Sequence, residues 1–232
     1  MQSLSPANAL SYLSYVTGTL FELVSHPDPD VRMAADEGIN QIVKLADIQL
    51  VQHVICEVFL EIKRSLHARS LTSALRKFSA SIGRINPKKR RIYAVNILPV
   101  LSGLINREEE MVWECFAETI EPIAIFIFPH TSQQELITLL LKGLLEKLES
   151  EKNYIRRSAA TILASSVVHS RLPHELSYLL IQQLISRISV LKQRFLFKDS
   201  KTSSSSAAGL QGCLWGLRNI ASLYSRIPTS AL

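Results

Sequence analysis

An all-α fold, an α-solenoid of about five antiparallel helix pairs, is what this sequence predicts, and three observations predict it. An apolar residue followed three and four positions later by a small or apolar pair recurs at Val31 (VRMAADEGI), Leu71 (LTSALRKFS), Val112 (VWECFAETI) and Ile155 (IRRSAATIL). These starts lie 40, 41 and 43 residues apart. Between them the apolar residues keep three-and-four helical spacing, with no run alternating as a strand would. Glycine and proline are few, at 8 and 9, which suits helices joined by tight turns.

A unit of two helices repeating at about 40 to 47 residues is the HEAT/armadillo pattern. The pairs fall at about 6–46, 47–85, 86–129, 130–170 and 173–226 of one domain spanning 1–232. Ser5-Pro6 opens the first helix as N-cap and first helical residue, and Leu10, Leu13, Val16, Leu20 and Leu23 form its stripe. The turn HPDPD ends it and places acid at the positive end of the next helix dipole. That helix carries Val31, Ala34, Ala35, Ile39, Ile42 and Val43. The second pair starts at Asp47. Its stripes are Val51, Val54, Ile55, Val58, Phe59 and Ile62, then Leu71, Ala74, Leu75, Phe78 and Ile82.

The third pair starts near Asn86-Pro87, turns at Asn106 and is expected to bend at Pro122, where one backbone bond is missing. The fourth runs from about Ser132 to Ser150 and from Asn153 to His169. In the fifth, Leu176, Leu180, Leu184, Ile188 and Leu191 follow Pro173. Residues 198–206, KDSKTSSSS, are too polar to bury surface and read as a disordered serine-rich insert. A last helix, about 207–226, offers Leu210, Leu214, Leu217, Ile220 and Leu223. Its Gly209, Gly212 and Gly216 have spacing that suits close helix packing. It ends in IPTSAL with no charged cap, so further repeats are expected beyond it.

Composition narrows the function. The 47% hydrophobic and 20% charged content is that of a globular chain. Cys56, Cys115 and Cys213 are far apart and in no CxxC spacing, as expected for packing cysteines in a reducing compartment. No apolar run reaches the roughly 18 residues that cross a bilayer. The first 21 residues are uncharged but lack the basic start of a secretion signal. The expected location is cytoplasmic, with the nucleus as a second one.

Charge is the strongest signal outside the core. From Glu61 to Arg91 ten basic residues stand against one glutamate, a balance of +9. From Arg107 to Glu121 one arginine stands against six glutamates, a balance of −5. The candidate partner-binding residues are Arg69, Arg76, Lys77, Arg84, Lys88, Lys89, Arg90 and Arg91. Two readings stand side by side: a solvated helix face, and a surface for an acidic protein segment, an anionic lipid surface or, least, nucleic acid. Few aromatic residues are interleaved to stack on bases. The run KKRR, Lys88–Arg91, also has the composition of a nuclear import signal, although it opens a helix, where positive charge opposes the dipole.

Enzyme signatures are missing: GxGxxG, P-loop and GxSxG motifs do not occur, no cofactor is implied, and no catalytic residue is named. His169 and His174 lack a cysteine or carboxylate placed to complete a metal site. Cys115 matches Ala34, Ala74 and Ser158 in the repeat and reads as packing. The acidic run Glu108–Glu110 reads as helix-start acid rather than a carboxylate pair for catalysis.

The segments DPDVRMAADEGINQIVK, FLEIKRSLHARSLTSALRKF, INPKKRRIYAVNILPVL and YIRRSAATILASSVVHSR resemble the amino-terminal HEAT repeats of the huntingtin family. LWGLRNIASL is a fainter match, and together these cover nearly all of residues 10–225 in order. The resemblance implies the amino-terminal part of a distant homologue. It also implies a large cytoplasmic α-solenoid scaffold linked to vesicle and axonal transport, motor adaptors and other huntingtin-associated partners, and autophagy, without catalysis and with some nuclear presence. The sequence departs from the family in having no amphipathic leader, polyglutamine or proline-rich tract before the first repeat, so functions tied to those are not carried over. It also departs from the general HEAT pattern. The aspartate five residues before each opening apolar residue is replaced by His26, Leu66, Arg107 and Ser150, and only Arg32 and Arg156 keep the arginine side of that ladder. The alternative function is a HEAT-repeat transport receptor or regulatory-subunit solenoid binding an acidic partner. Such a receptor needs asparagine and tryptophan along its second helices, where only Trp113 and Trp215 are available.

Overall fold

The structure, a computed structural model, describes residues 6–47, 50–130, 134–169, 174–197 and 200–225. Its described residues form helices α1 (Pro6–Leu23), α2 (Pro29–Leu45), α3 (Val51–Arg64), α4 (Ala68–Ser81), α5 (Arg90–Leu104), α6 (Glu110–Phe126), α7 (Gln134–Lys147), α8 (Asn153–His169), α9 (His174–Phe197) and α10 (Ser200–Tyr224), with short 3-10 turns after α4, before α5 and after α6. No strand occurs among them. The expected pairs are these helices taken two at a time.

Local chemistry explains the helix starts. Asp28 caps α2, its carboxylate accepting from the Asp30 amide at 2.8 Å, with Pro29 in the first position. Asp47 accepts from the Leu50 amide at 2.8 Å ahead of α3. Asn86 accepts from the Lys88 amide at 3.0 Å, and Pro87 begins the 3-10 turn that feeds α5. Pro122 does not end α6, which runs on to Phe126.

The chain groups into two compact units, residues 1–90 and 91–232, where the sequence reading expects one domain. In the first unit α3 and α4 pack most closely, and α1 lies against α2 and α3. All the predicted stripe residues of α3 and α4 are buried, and Phe59 meets Phe78 with ring centroids 5.6 Å apart. In α2 only Ala35 and Ile39 are buried, while Ala34 is exposed. Ala34 therefore differs from its repeat equivalents Ala74, Cys115 and Ser158, which are buried. The reason is that α2 packs closely against α1 alone and only loosely against α3 and α4.

In the second unit α8 packs against both α6 and α10, and α10 packs equally against α9. Two expectations are corrected here. The serine-rich segment is helical from Ser200 onward rather than disordered, and residues 198 and 199 lie outside the described residues. A polar segment takes this form because a small face recruits it: Ser206, Gly209, Gly212 and Cys213 are buried. The buried face of α10 is therefore mainly this small face; of the predicted stripe Ile220 is buried, while Leu214 is 49% exposed and Leu210, Leu217 and Leu223 are half-buried. Gly212 shows why. A Cβ there would collide with the carbonyl oxygen of Leu148, so only glycine lets α10 come this near.

The missing aspartate ladder has a substitute. At the second motif position, the Arg32 guanidinium donates to the carbonyls of His26 (2.8 Å) and Pro27 (2.6 Å). Arg156 does the same to Ser150 and Glu151, both at 2.8 Å, and the Trp113 indole donates to the Arg107 carbonyl at 2.8 Å. In three repeats a side chain thus caps the loop before its helix, satisfying backbone acceptors that would otherwise be left without partners.

Candidate functional site

The basic run does not form one patch. Lys77 is buried, and its ammonium lies 3.0 Å from the Asp36 carboxylate. Burial works against the charged form of Asp36. Donation from the Ser73 hydroxyl at 2.5 Å and from Lys77 outweighs it and holds the carboxyl below its usual range. The Arg84 guanidinium donates to the carbonyls of Val43 (2.6 Å) and Ala46, closing the end of α2. Both side chains are engaged by acceptors within the first unit, although Arg84, unlike Lys77, is exposed. Arg90 is half-buried.

Arg69, Arg76, Lys88, Lys89 and Arg91 are exposed. Arg69 sits in the first turn of α4, whereas Lys88 and Lys89 follow its far end. The helix of 14 residues that runs between them in the chain is about 20 Å long. A run that looks continuous along the chain is therefore divided in space.

The acidic run is divided too. Glu109 pairs with Arg107 at 2.6 Å, and that bond lowers the Glu109 carboxyl from its usual range. Glu108 pairs with Lys152 at 3.0 Å. Glu121 lies 4.0 Å from His169. Glu110 and Glu114 remain exposed, with no ion pair among the described residues.

These two carboxylates line a polar groove that the sequence reading missed. Glu110, Glu114, Glu118 and Ala117 form its α6 wall, and Asn153, Tyr154, Arg157 and Thr161 of α8 form its floor, around a depression of about 570 Å³. A second depression of about 500 Å³ shares Asn153, Arg157 and Thr161 and is closed by Trp215, Arg218 and Asn219 of α10. Arg157 and Arg218 are exposed and make no ion pair among the described residues. The only signal for this groove is helical spacing, with Glu110, Glu114 and Glu118 on one face of α6, Asn153 and Arg157 on one face of α8, and Trp215 and Asn219 on one face of α10. Bringing those faces together needed the close packing described above. Trp113 is not part of it, being 1% exposed.

The remaining expectations concern thiols, metals and membranes. Cys115 and Cys213 are buried, and burial with the Glu149 charge nearby pushes the Cys213 thiol up to about 11. Cys56 is exposed, with its thiol raised from the usual value by partial burial. Among the described residues no histidine, cysteine and carboxylate grouping could hold a metal ion, and none of their helices is long and apolar enough to cross a membrane. The side chain of His174 lies outside the described residues.

The sequence model described as "Huntingtin, N-terminal HEAT 1" matches residues 20–172. This chain belongs to the huntingtin N-terminal HEAT family. It is similar to huntingtin of Takifugu rubripes, with 34% identity over 171 residues, which is 73% of this chain. The chain spans 5% of that huntingtin's length. Among solved structures it is similar to an engineered protein (18% identity, TM-score 0.45, covering 91% of this chain and 85% of that one). It is also similar to a designed armadillo repeat protein (13% identity, TM-score 0.42, covering 84% and 98%). These two likenesses add nothing to the huntingtin assignment.

Proposed function

We propose that this chain is a non-catalytic protein-interaction scaffold, the amino-terminal part of a huntingtin-like protein serving vesicle and axonal transport and autophagy in the cytoplasm, with a nuclear pool. The observation that carries the reading is the huntingtin family match over residues 20–172. Stacked helix pairs of this kind bury their stripes against each other and leave the outer faces to partners. Exposed charges that make no ion pair among the described residues, such as Lys88 and Lys89 in the first unit and Arg157 and Arg218 in the second, support it. In this reading Lys88 and Lys89 meet acidic segments of proteins such as motor adaptors.

A second reading, a transport-receptor or regulatory-subunit array, is favoured by one observation. Asn153, Trp215 and Asn219 share the α8–α10 groove.

The test is affinity capture of the folded chain followed by mass spectrometry, run beside a Lys88→Glu/Lys89→Glu variant. The expected result is vesicle and motor-adaptor proteins on the unaltered chain, with a subset lost from the variant. No specific protein on either would overturn the scaffold reading.

A further inference from the structure

The α6–α8–α10 groove of residues 91–232 combines three features. Its α6 wall presents the carboxylates Glu110 and Glu114, and its floor and α10 wall present the guanidiniums Arg157 and Arg218, none of them in an ion pair among the described residues. Charges of both signs face two depressions that share Asn153, Arg157 and Thr161, yet none of these four is within ion-pair distance of another. Helix α8 also starts in the groove at Asn153 with no acidic residue in its first turn. The positive end of its dipole therefore faces the depression. Between the charged rows lie groups suited to a peptide backbone. Asn153 and Asn219 each carry an amide that both donates and accepts, and half-buried Trp215 offers a flat apolar face.

We infer that this groove binds an extended peptide segment of a partner protein, with basic side chains at its α6 end and acidic side chains at its α10 end. The dimensions agree. Neighbouring helices packed 8–10 Å apart put α6 and α10 about 16–20 Å from each other, and an extended chain covers that in about five or six residues. Charge complementarity selects the occupant. A wholly acidic segment would meet Glu110 and Glu114, and a wholly basic one would meet Arg157, Arg218 and the α8 dipole, so each gains at one wall and loses at the other. The inference rests on the scaffold reading and names the chemistry of one partner.

The probe is a fluorescein-labelled synthetic peptide of about eight residues, lysines at one end and glutamates at the other, made in both chain directions. It is titrated into the full chain at low ionic strength, where exposed charges are least screened. One direction should bind at least about tenfold more tightly than all-lysine, all-glutamate and all-serine peptides of equal length. Arg157→Glu/Arg218→Glu and Glu110→Lys/Glu114→Lys should each weaken it by about tenfold or more. Thermal melts like that of the unaltered chain would show that these surface variants remain folded. Peptide binding should also shift tryptophan emission, and the shift should vanish in Trp215→Phe because Trp113 stays buried.

Equal affinity for mixed and uniform peptides, or unchanged affinity in both reversal variants, overturns the inference. So does lipid-vesicle binding that depends on Arg157 and Arg218 while the peptides do not bind. The same variants in the capture experiment keep the two readings separate. If the chain captures its proteins and no peptide binds, the groove inference falls and the scaffold stands. If the mixed peptide binds while capture yields nothing specific, the scaffold reading falls and the groove stands.

Discussion

Residues 1–90 and 91–232 use the same helical period with different side-chain sizes, and the difference decides what each can present. In the first unit Val, Ile and Phe fill the space between α3 and α4, with Phe59 and Phe78 in ring contact. Bulky side chains hold helices apart and make a thick core. In the second unit Gly212 and Gly216 of α10 lie against Leu148, with Arg156 and Leu163 of α8 close by, and Gly209 lies against Leu191 of α9. Small residues let helices approach, since interaxial distance follows the side chains at the contact. The outer rows of α6, α8 and α10 are thereby drawn into one groove. In the first unit, by contrast, lysine and arginine are consumed by the core and loops, as Lys77 and Arg84 are.

Four experiments would break or sharpen this contrast. The largest effect is expected from an acid placed in either core. Leu75 and Ile162 are both 0% exposed, and Leu75→Asp or Ile162→Asp should cost about 4 kcal/mol or more through a buried unpaired carboxylate and lost packing. Amide hydrogen exchange should lose protection across α1–α4 for Leu75→Asp and across α6–α10 for Ile162→Asp. An unaltered melt for both would refute the helix registers.

Next comes Gly212→Ala, which forces a Cβ onto the Leu148 carbonyl and should cost about 2–4 kcal/mol. Its control is Gly103→Ala in α5, where a Cβ meets nothing within 4 Å and the better helix former should stabilise by up to about 1 kcal/mol. Denaturant midpoints measure both. If Gly212→Ala melts as the unaltered chain does, close packing is not what organises the second unit.

Arg84→Ala should cost about 1–2 kcal/mol by freeing the carbonyls at the end of α2. Faster exchange confined to the α2–α3 region would identify the cause. A loss of binding with no change in stability would instead make the exposed Arg84 a partner-binding residue.

The smallest effect is the acid dependence of Asp36. Its folded carboxyl is held below the ordinary value of 3.8, so its stabilising contribution is present above that pH and is lost as pH falls through the lowered folded value. Asp36→Asn removes the contribution at every pH. The stability gap between the two proteins, about 1 kcal/mol near neutrality because the pair is partly exposed, should therefore close as pH falls below 3.8. A gap constant with pH would show that the pair with Lys77 contributes nothing through charge.

Much of the fold was legible because amphipathic spacing is local. The motif starts at Leu71, Val112 and Ile155 open or enter the helices they predict, and Ala74, Cys115 and Ser158, three residues after them, are buried. The serine-rich segment misled for the opposite reason. Low apolar content argues against burial only if burial needs large side chains, and a glycine-lined face on α10 packs through close approach. The basic run is distributed differently in space because a count along the chain carries no direction. Lys77 and Ser73 turn inward to Asp36, while Arg69 and Lys88 stand at opposite ends of a helix.

Unaided, the sequence determined the helix pairs, their order and their period, because turn chemistry and apolar spacing act over a few residues. Tertiary structure alone decided how near the helices come, which charges are neutralised within the protein and which unpaired rows face one another. Those outcomes depend on side chains from segments some 40 to 60 residues apart, as Glu114, Arg157 and Trp215 are. Only packed helices hold such residues within reach of one ligand.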